Sequence, residues 1–156
     1  MNKIPFVLGV MLMTAILASC NSDGRNKHSS EGLKANADSL YKELIKEHNE
    51  GMNGWMKIEG RQKQIKNILD SIATLPSKAG SLSEAYKARL LVASEELANA
   101  YTEMDVWMSK MNLDSAENNL DLRIKYLSEE KIRASAITAL VNNSLQKADS
   151  VLKAKF

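Results

Sequence analysis

The chain has 156 residues, with 21 Lys or Arg against 19 Asp or Glu, so its formal net charge is only +2. A charge this small gives no long-range field that would attract nucleic acid. The single cysteine excludes an internal disulfide, and the 7 glycines, 2 prolines and 5% aromatic residues exclude an all-β sandwich or barrel. The length predicts one domain.

Residues 1–19 have the organisation of a cleaved signal peptide. Lys3 precedes a 15-residue apolar run from Ile4 to Ala18, which is shorter than the about 20 residues of a membrane span. The run leads into Leu17-Ala18-Ser19-Cys20, which resembles the lipobox of bacterial lipoproteins. This resemblance implies cleavage before Cys20 and acylation of its thiol. Multiple acyl chains would then hold the protein on a membrane, since each buried CH₂ contributes about 0.8 kcal/mol.

Residues 20–32 are predicted to be the lipidated cysteine and a flexible tether. Asn21 to Ser30 contains no apolar side chain, and such a stretch cannot bury enough surface to fold. Asn21 follows the predicted lipidation site, and by resemblance to Gram-negative sorting rules the absence of Asp there favours the outer membrane. The periplasmic face and the cell surface both remain open as locations.

Residues 33–156 are predicted to form an all-α domain of three long helices. Apolar side chains recur at steps of three and four in three segments. In the first segment, which runs from Leu40 to Ile72, Gly51, Gly54 and Gly60 indicate either a close backbone approach or a kink. The second segment opens with the capping box Ser81-Leu82-Ser83-Glu84 and runs to about Met111. Its predicted seam is Tyr86, Leu90, Ala93, Leu97, Ala100, Met104, Trp107 and Met111.

The third segment carries Leu120, Ile124, Leu127, Ala134, Ile137, Val141, Leu145, Ala148 and Leu152. Short links make consecutive helices antiparallel, and three apolar stripes require a shared core. The pattern therefore predicts an up-down-up three-helix bundle with long, coiled-coil-like helices. A long hairpin that dimerises is the alternative, and the sequence does not fix the oligomeric state.

The residues that could carry chemistry are few. The motifs of nucleophilic, zinc-dependent and phosphate-binding enzymes do not occur in the sequence. Carboxylates alternate with lysines, as in Glu129-Glu130-Lys131, which is typical of a solvated helix face. We therefore expect neither an enzyme nor a cofactor.

Two similar segments concentrate methionine and tryptophan. They are Met52-Asn53-Gly54-Trp55-Met56 and Met104-Asp105-Val106-Trp107-Met108. In an antiparallel hairpin, the numbers of two residues that face each other should sum to about 156. This register places the two segments at the same level of the bundle, together with His48. Core packing is the ordinary interpretation of such a layer. The alternative is a soft-metal site for Cu(I) or Ag(I), with His48, Met52, Met104 and Met108 as candidate ligands.

Three further segments are Glu47 to Met52, Ala100 to Met108 and Tyr126 to Lys131. Together with the lipobox, they resemble a family of small Bacteroidota lipoproteins often labelled "viral A-type inclusion protein". The resemblance implies a helical fold and an envelope location, but no activity. The sequence departs from the family at Gly51 and Gly54. We therefore expect a lipid-anchored, non-enzymatic helical module that binds an envelope protein or supports an assembly, with periplasmic soft-metal binding as the alternative.

Overall fold

The computed structural model describes residues 22–74 and 80–154, with side chains from 29 to 74 and from 84 to 154. Three helices account for almost all of these residues: α1 (Ser22–Ala73), α2 (Gly80–Lys110) and α3 (Leu120–Lys153). They pack against one another around a single core, which confirms the predicted all-α bundle. The signal peptide, Cys20 and Asn21 lie outside the described residues, and so does the Ser81 side chain of the predicted capping box.

The first helix is longer than its apolar pattern. It begins at Ser22, so it includes residues that the sequence assigned to a flexible tether. The described side chains at its start, residues 29–32, are all exposed, and the first buried side chain is Ala37. A helix nucleated by packing can extend into solvent at little cost per residue. The helix is also continuous through Gly51, Gly54 and Gly60.

The second helix follows its predicted seam closely. Seven of the eight seam residues, from Tyr86 to Trp107, are buried, and Met111 packs partly buried against the core just beyond the helix. Large and small side chains alternate along this seam, and the small residues Ala93 and Ala100 leave room for side chains of the neighbouring helices between Leu90 and Leu97. The seam prediction is confirmed.

The third helix buries a more polar face than predicted. Its buried residues are Leu127, Glu130, Ala134, Thr138, Val141, Ser144, Ala148 and Val151. Ile137, Leu145 and Leu152, which were predicted as core, pack only partly buried at its margin. Asn119 caps the helix, where its side-chain oxygen accepts a hydrogen bond from the Leu122 amide at 3.1 Å.

Cross-helix contacts define the directions of the helices. From α1 to α3, Lys131 donates to Glu43, the Thr138 hydroxyl donates to the Glu47 carbonyl, and Arg61 donates to Asp149. Because residue numbers rise together along both helices, α1 and α3 are parallel and α2 runs against them. Among the described residues, none of the helices combines the length and apolar character that crossing a membrane requires.

Candidate functional site: the methionine and tryptophan layer

The two methionine and tryptophan segments lie at one level of the bundle. The Trp55 ring stacks on Tyr101 with centroids 4.5 Å apart, and its indole nitrogen donates to the Tyr101 carbonyl at 3.1 Å. The His48 and Trp107 rings lie 5.9 Å apart. Both pairs agree with the predicted hairpin register to within one residue, so the register is confirmed. We call this level, from His48 to Trp55 and from Tyr101 to Met108, the Met/Trp layer.

Two glycines allow the helices to approach closely in this layer. Gly51 and Gly54 are buried, and they occupy the innermost positions of α1. A Cβ added at Gly51 would lie 2.5 Å from the Met104 methyl carbon and 2.6 Å from the Thr138 hydroxyl. The glycines therefore mark a close approach and not a kink. Their positions also explain why Met52 and Trp55, on either side, are only partly buried.

A buried carboxylate connects the layer to α3. Glu130 is only 4% exposed, and its Oε2 accepts a hydrogen bond from the Trp107 indole nitrogen at 2.8 Å. Its Oε1 accepts from the Arg133 guanidinium at 2.5 Å, which compensates the buried charge. The prediction that Glu129-Glu130-Lys131 forms a solvated face is wrong for Glu130. The Glu130 carboxylate provides the hydrogen-bond acceptor that the buried indole N–H of Trp107 needs in the core.

The four candidate metal ligands differ in exposure and surroundings. Met104 is fully buried, with its methyl group over Gly51. His48 is partly exposed, and its Nδ1 lies 3.2 Å from the Asn49 side-chain oxygen. Met52 and Met108 pack partly buried against the core. Among the described residues, no group of three or more His, Cys, Asp or Glu side chains could hold a metal ion.

The arrangement of these groups favours packing over reaction chemistry. Both indole N–H groups already donate to protein oxygens. Throughout the described residues, every buried side-chain nitrogen or oxygen has a hydrogen-bond partner. Soft-metal ligation by Met104 would require a metal ion to reach a side chain that is fully buried. The layer therefore acts mainly as a specific joint between the three helices.

Sequence reasoning missed Glu130, although the sequence contained a signal for it. Between Leu127 and Ala134 the predicted stripe on α3 has no apolar residue at positions 130 and 131, which would continue it, and the apolar Ile132 lies off the stripe and is exposed. A helix with a continuous buried face needs a residue in that interval, and position 130 supplies it. An interruption of this kind next to a tryptophan-bearing helix indicates a buried polar partner.

An ion pair outside the layer joins α1 to α3 nearer the start of the bundle. The Lys131 ammonium donates to a Glu43 carboxylate oxygen. This hydrogen bond, followed by the positive charge of Lys131, lowers the pKa of Glu43 below its ordinary value. Glu43 is exposed, so the pair fixes the helix register more than it adds to stability.

No protein-family model matches the chain, and neither a curated protein nor a solved structure is similar to it. The resemblance to small Bacteroidota lipoproteins therefore stays a prediction.

Proposed function

We propose that the protein is a lipid-anchored lipoprotein of the cell envelope, in which a non-enzymatic helical bundle binds another envelope protein or supports an assembly. The observation that carries the proposal is the tetrapeptide Leu17-Ala18-Ser19-Cys20 directly after an apolar run that is too short to span a bilayer. Acyl chains on Cys20 are the proposed attachment to the outer membrane, at either its periplasmic or its outer face.

The dimensions of the bundle suit a module held away from a lipid surface. The 52 residues of α1 correspond to a helix about 78 Å long at ~1.5 Å per residue. The helix begins two residues after Cys20, whereas the core begins only at Ala37. An anchored chain would therefore carry a helical segment, exposed at residues 29–32, between the bilayer and the packed bundle.

The buried polar groups also support a binding or structural role. The buried carboxylate of Glu130 uses both oxygens in hydrogen bonds within the bundle. Such a network stabilises one specific packing of α2 on α3. A rigid surface of defined shape is what a binding module requires.

A substitution at the anchor position tests the proposal. Cys20→Ser should leave the protein as an uncleaved precursor or release it from the membrane fraction, and metabolically supplied palmitate should no longer label it. Ser19→Ala is the matched control, because it keeps a small residue before Cys20 and should preserve processing. A Cys20→Ser protein that is cleaved and membrane-bound like the wild type would refute the anchor. Crosslinking in the native envelope, followed by mass spectrometry, would then identify the protein partner.

Soft-metal carriage by His48, Met52, Met104 and Met108 is the second candidate function. The observation that favours it is that His48 and Met104 lie in one layer beside Trp107, whose ring could shield a bound cation. The complete burial of the Met104 side chain is unfavourable for metal carriage. A metal titration separates the two candidates and is given in the Discussion.

A further inference from the structure

An apolar groove lies between α2 and α3, near the end of the bundle where α3 terminates. It has a volume of about 470 Å³, and its apolar lining includes Ala88, Val92, Ala93 and Val151. This volume falls within the ~300–1,000 Å³ range of small-molecule sites. The groove is separate from the Met/Trp layer and shares no residue with it.

Small side chains produce the groove. Ala88 and Ala93 on α2 face Ser150 on α3, so the space between the helices is left unfilled. Val92 forms an apolar rim and is 57% exposed. An exposed valine beside an unfilled apolar groove is a hydrophobic surface that a ligand would remove from water.

Charged side chains define the ends of the groove. Lys147 donates to Glu96 at 2.6 Å, and this ion pair joins α3 to α2 across the groove. The groove therefore extends from Ala88 to Glu96, which is about 12 Å along α2 at ~1.5 Å per residue. Arg89 also lines it, and its guanidinium makes no hydrogen bond or ion pair within the part of the chain that the structure describes.

We propose that this groove binds a medium-chain acyl anion, with the acyl chain along Ala88, Val92, Ala93 and Val151 and the carboxylate on Arg89. A guanidinium with free N–H groups can bind a carboxylate through two parallel hydrogen bonds. Lys147 and Glu96 neutralise each other at the other end of the groove, so Arg89 supplies its one net positive charge for the head group. The proposal does not depend on the anchor at Cys20.

The length of the groove favours an acyl chain over a helix or a second copy of the protein. About 12 Å accommodates an extended chain such as decanoate, but only about two turns of helix. A stable protein interface buries roughly 1,200 Å² or more, which is far more than a groove of this size offers. The Glu96–Lys147 pair also obstructs any longer ligand that would lie between the helices.

Photocrosslinking tests the proposal on the purified full chain. A decanoate analogue with a diazirine on its chain should label α2 between residues 88 and 96 and α3 between residues 147 and 151, as mapped by mass spectrometry. Decanoate should compete saturably, whereas hexanoate and the cationic decylamine should compete much less.

Two variants and their controls make the test specific. Val92→Glu should abolish labelling, while Ile132→Glu should not, since Ile132 is at least as exposed but lies outside the groove. Arg89→Met keeps the apolar stem and should weaken competition by decanoate roughly fivefold or more. Lys110→Met, at the far end of α2, should change nothing. Thermal melting followed by circular dichroism confirms that each variant folds.

Three results would overturn the proposal. If decylamine competed as strongly as decanoate, Arg89 would not be the group that binds the carboxylate. Labels distributed outside the groove, or equal effects of Val92→Glu and Ile132→Glu, would show nonspecific partitioning. A sedimentation profile that changes from dimer to monomer in Val92→Glu, with no competition by decanoate, would identify a second copy as the occupant.

Discussion

The indole nitrogen of Trp107 donates to the carboxylate of Glu130 across the α2–α3 interface, at 2.8 Å and with Glu130 only 4% exposed. The pair restricts both the rotation and the level of α2 against α3, because a hydrogen bond needs its donor and acceptor within a narrow range of distance and angle. The arginine one turn later in α3, Arg133, balances the charge.

Removal of this carboxylate should destabilise the bundle. Glu130→Ala leaves a buried indole N–H without an acceptor, and we expect the free energy of unfolding to fall by about 1–3 kcal/mol. Glu130→Gln should cost less, since its amide oxygen can still accept. Urea unfolding followed by circular dichroism measures both changes. Glu129→Ala is the control, because Glu129 is exposed and should matter by less than about 0.5 kcal/mol. Equal losses at positions 129 and 130 would contradict the buried pair.

Substitutions at Gly51, Gly54 and Gly60 of α1 should differ in their effect on stability, including its sign. Gly54→Ala should destabilise the bundle, because the new Cβ would lie 2.6 Å from Cγ1 of Val141, a stiff β-branched side chain. Gly51→Ala should also destabilise it, because the Met104 methyl group can move but the Thr138 hydroxyl, 2.6 Å from the new Cβ, is held by its hydrogen bond to the Glu47 carbonyl. Gly60→Ala has nothing among the described residues within 4 Å and should stabilise the helix by up to about 1 kcal/mol. Melting temperatures test the order, and a stabilising Gly54→Ala would refute the close approach.

The Glu43–Lys131 pair predicts a pH dependence with a defined sign. The hydrogen bond and charge of Lys131 lower the pKa of Glu43 below 4.5 in the folded protein. Its stabilising contribution is therefore present above pH 4.5 and is lost as the pH falls through the lowered value. Lys131→Met should return the Glu43 pKa toward 4.5, as measured by NMR titration of the side-chain carboxyl carbon. Lys125→Met, an exposed cation on the same helix, should leave it unchanged.

The sequence predicted the bundle because its apolar spacing is strong where the helices pack. The α2 seam and the hairpin register, which brings Trp55 to Tyr101, both followed from this spacing. The buried face of α3 was harder to predict, because Glu130 and Thr138 are buried by partners that lie far away in sequence. The groove was not predictable either, since Ala88, Ala93 and Ser150 produce it only once α2 and α3 are packed together.

A metal titration separates the two candidate functions. The Met104 side chain is fully enclosed, so we expect no saturable change in tryptophan fluorescence when Cu(I) or Ag(I) is added under anaerobic conditions with a competing chelator. Trp55 and Trp107 lie in the Met/Trp layer and would report binding there. A stoichiometric response that is absent with Zn(II), and that Met52→Leu/Met104→Leu removes without unfolding the protein, would instead support metal carriage.

The mass of the mature N-terminal peptide tests the anchored-lipoprotein account most directly, when it is measured on protein purified from the membrane fraction of the cells that produce it. We predict that the first residue is Cys20, with a diacylglyceryl thioether on its sulfur and no trace of residues 1–19. An N-terminus at another residue, or a Cys20 with a free thiol, would contradict the account.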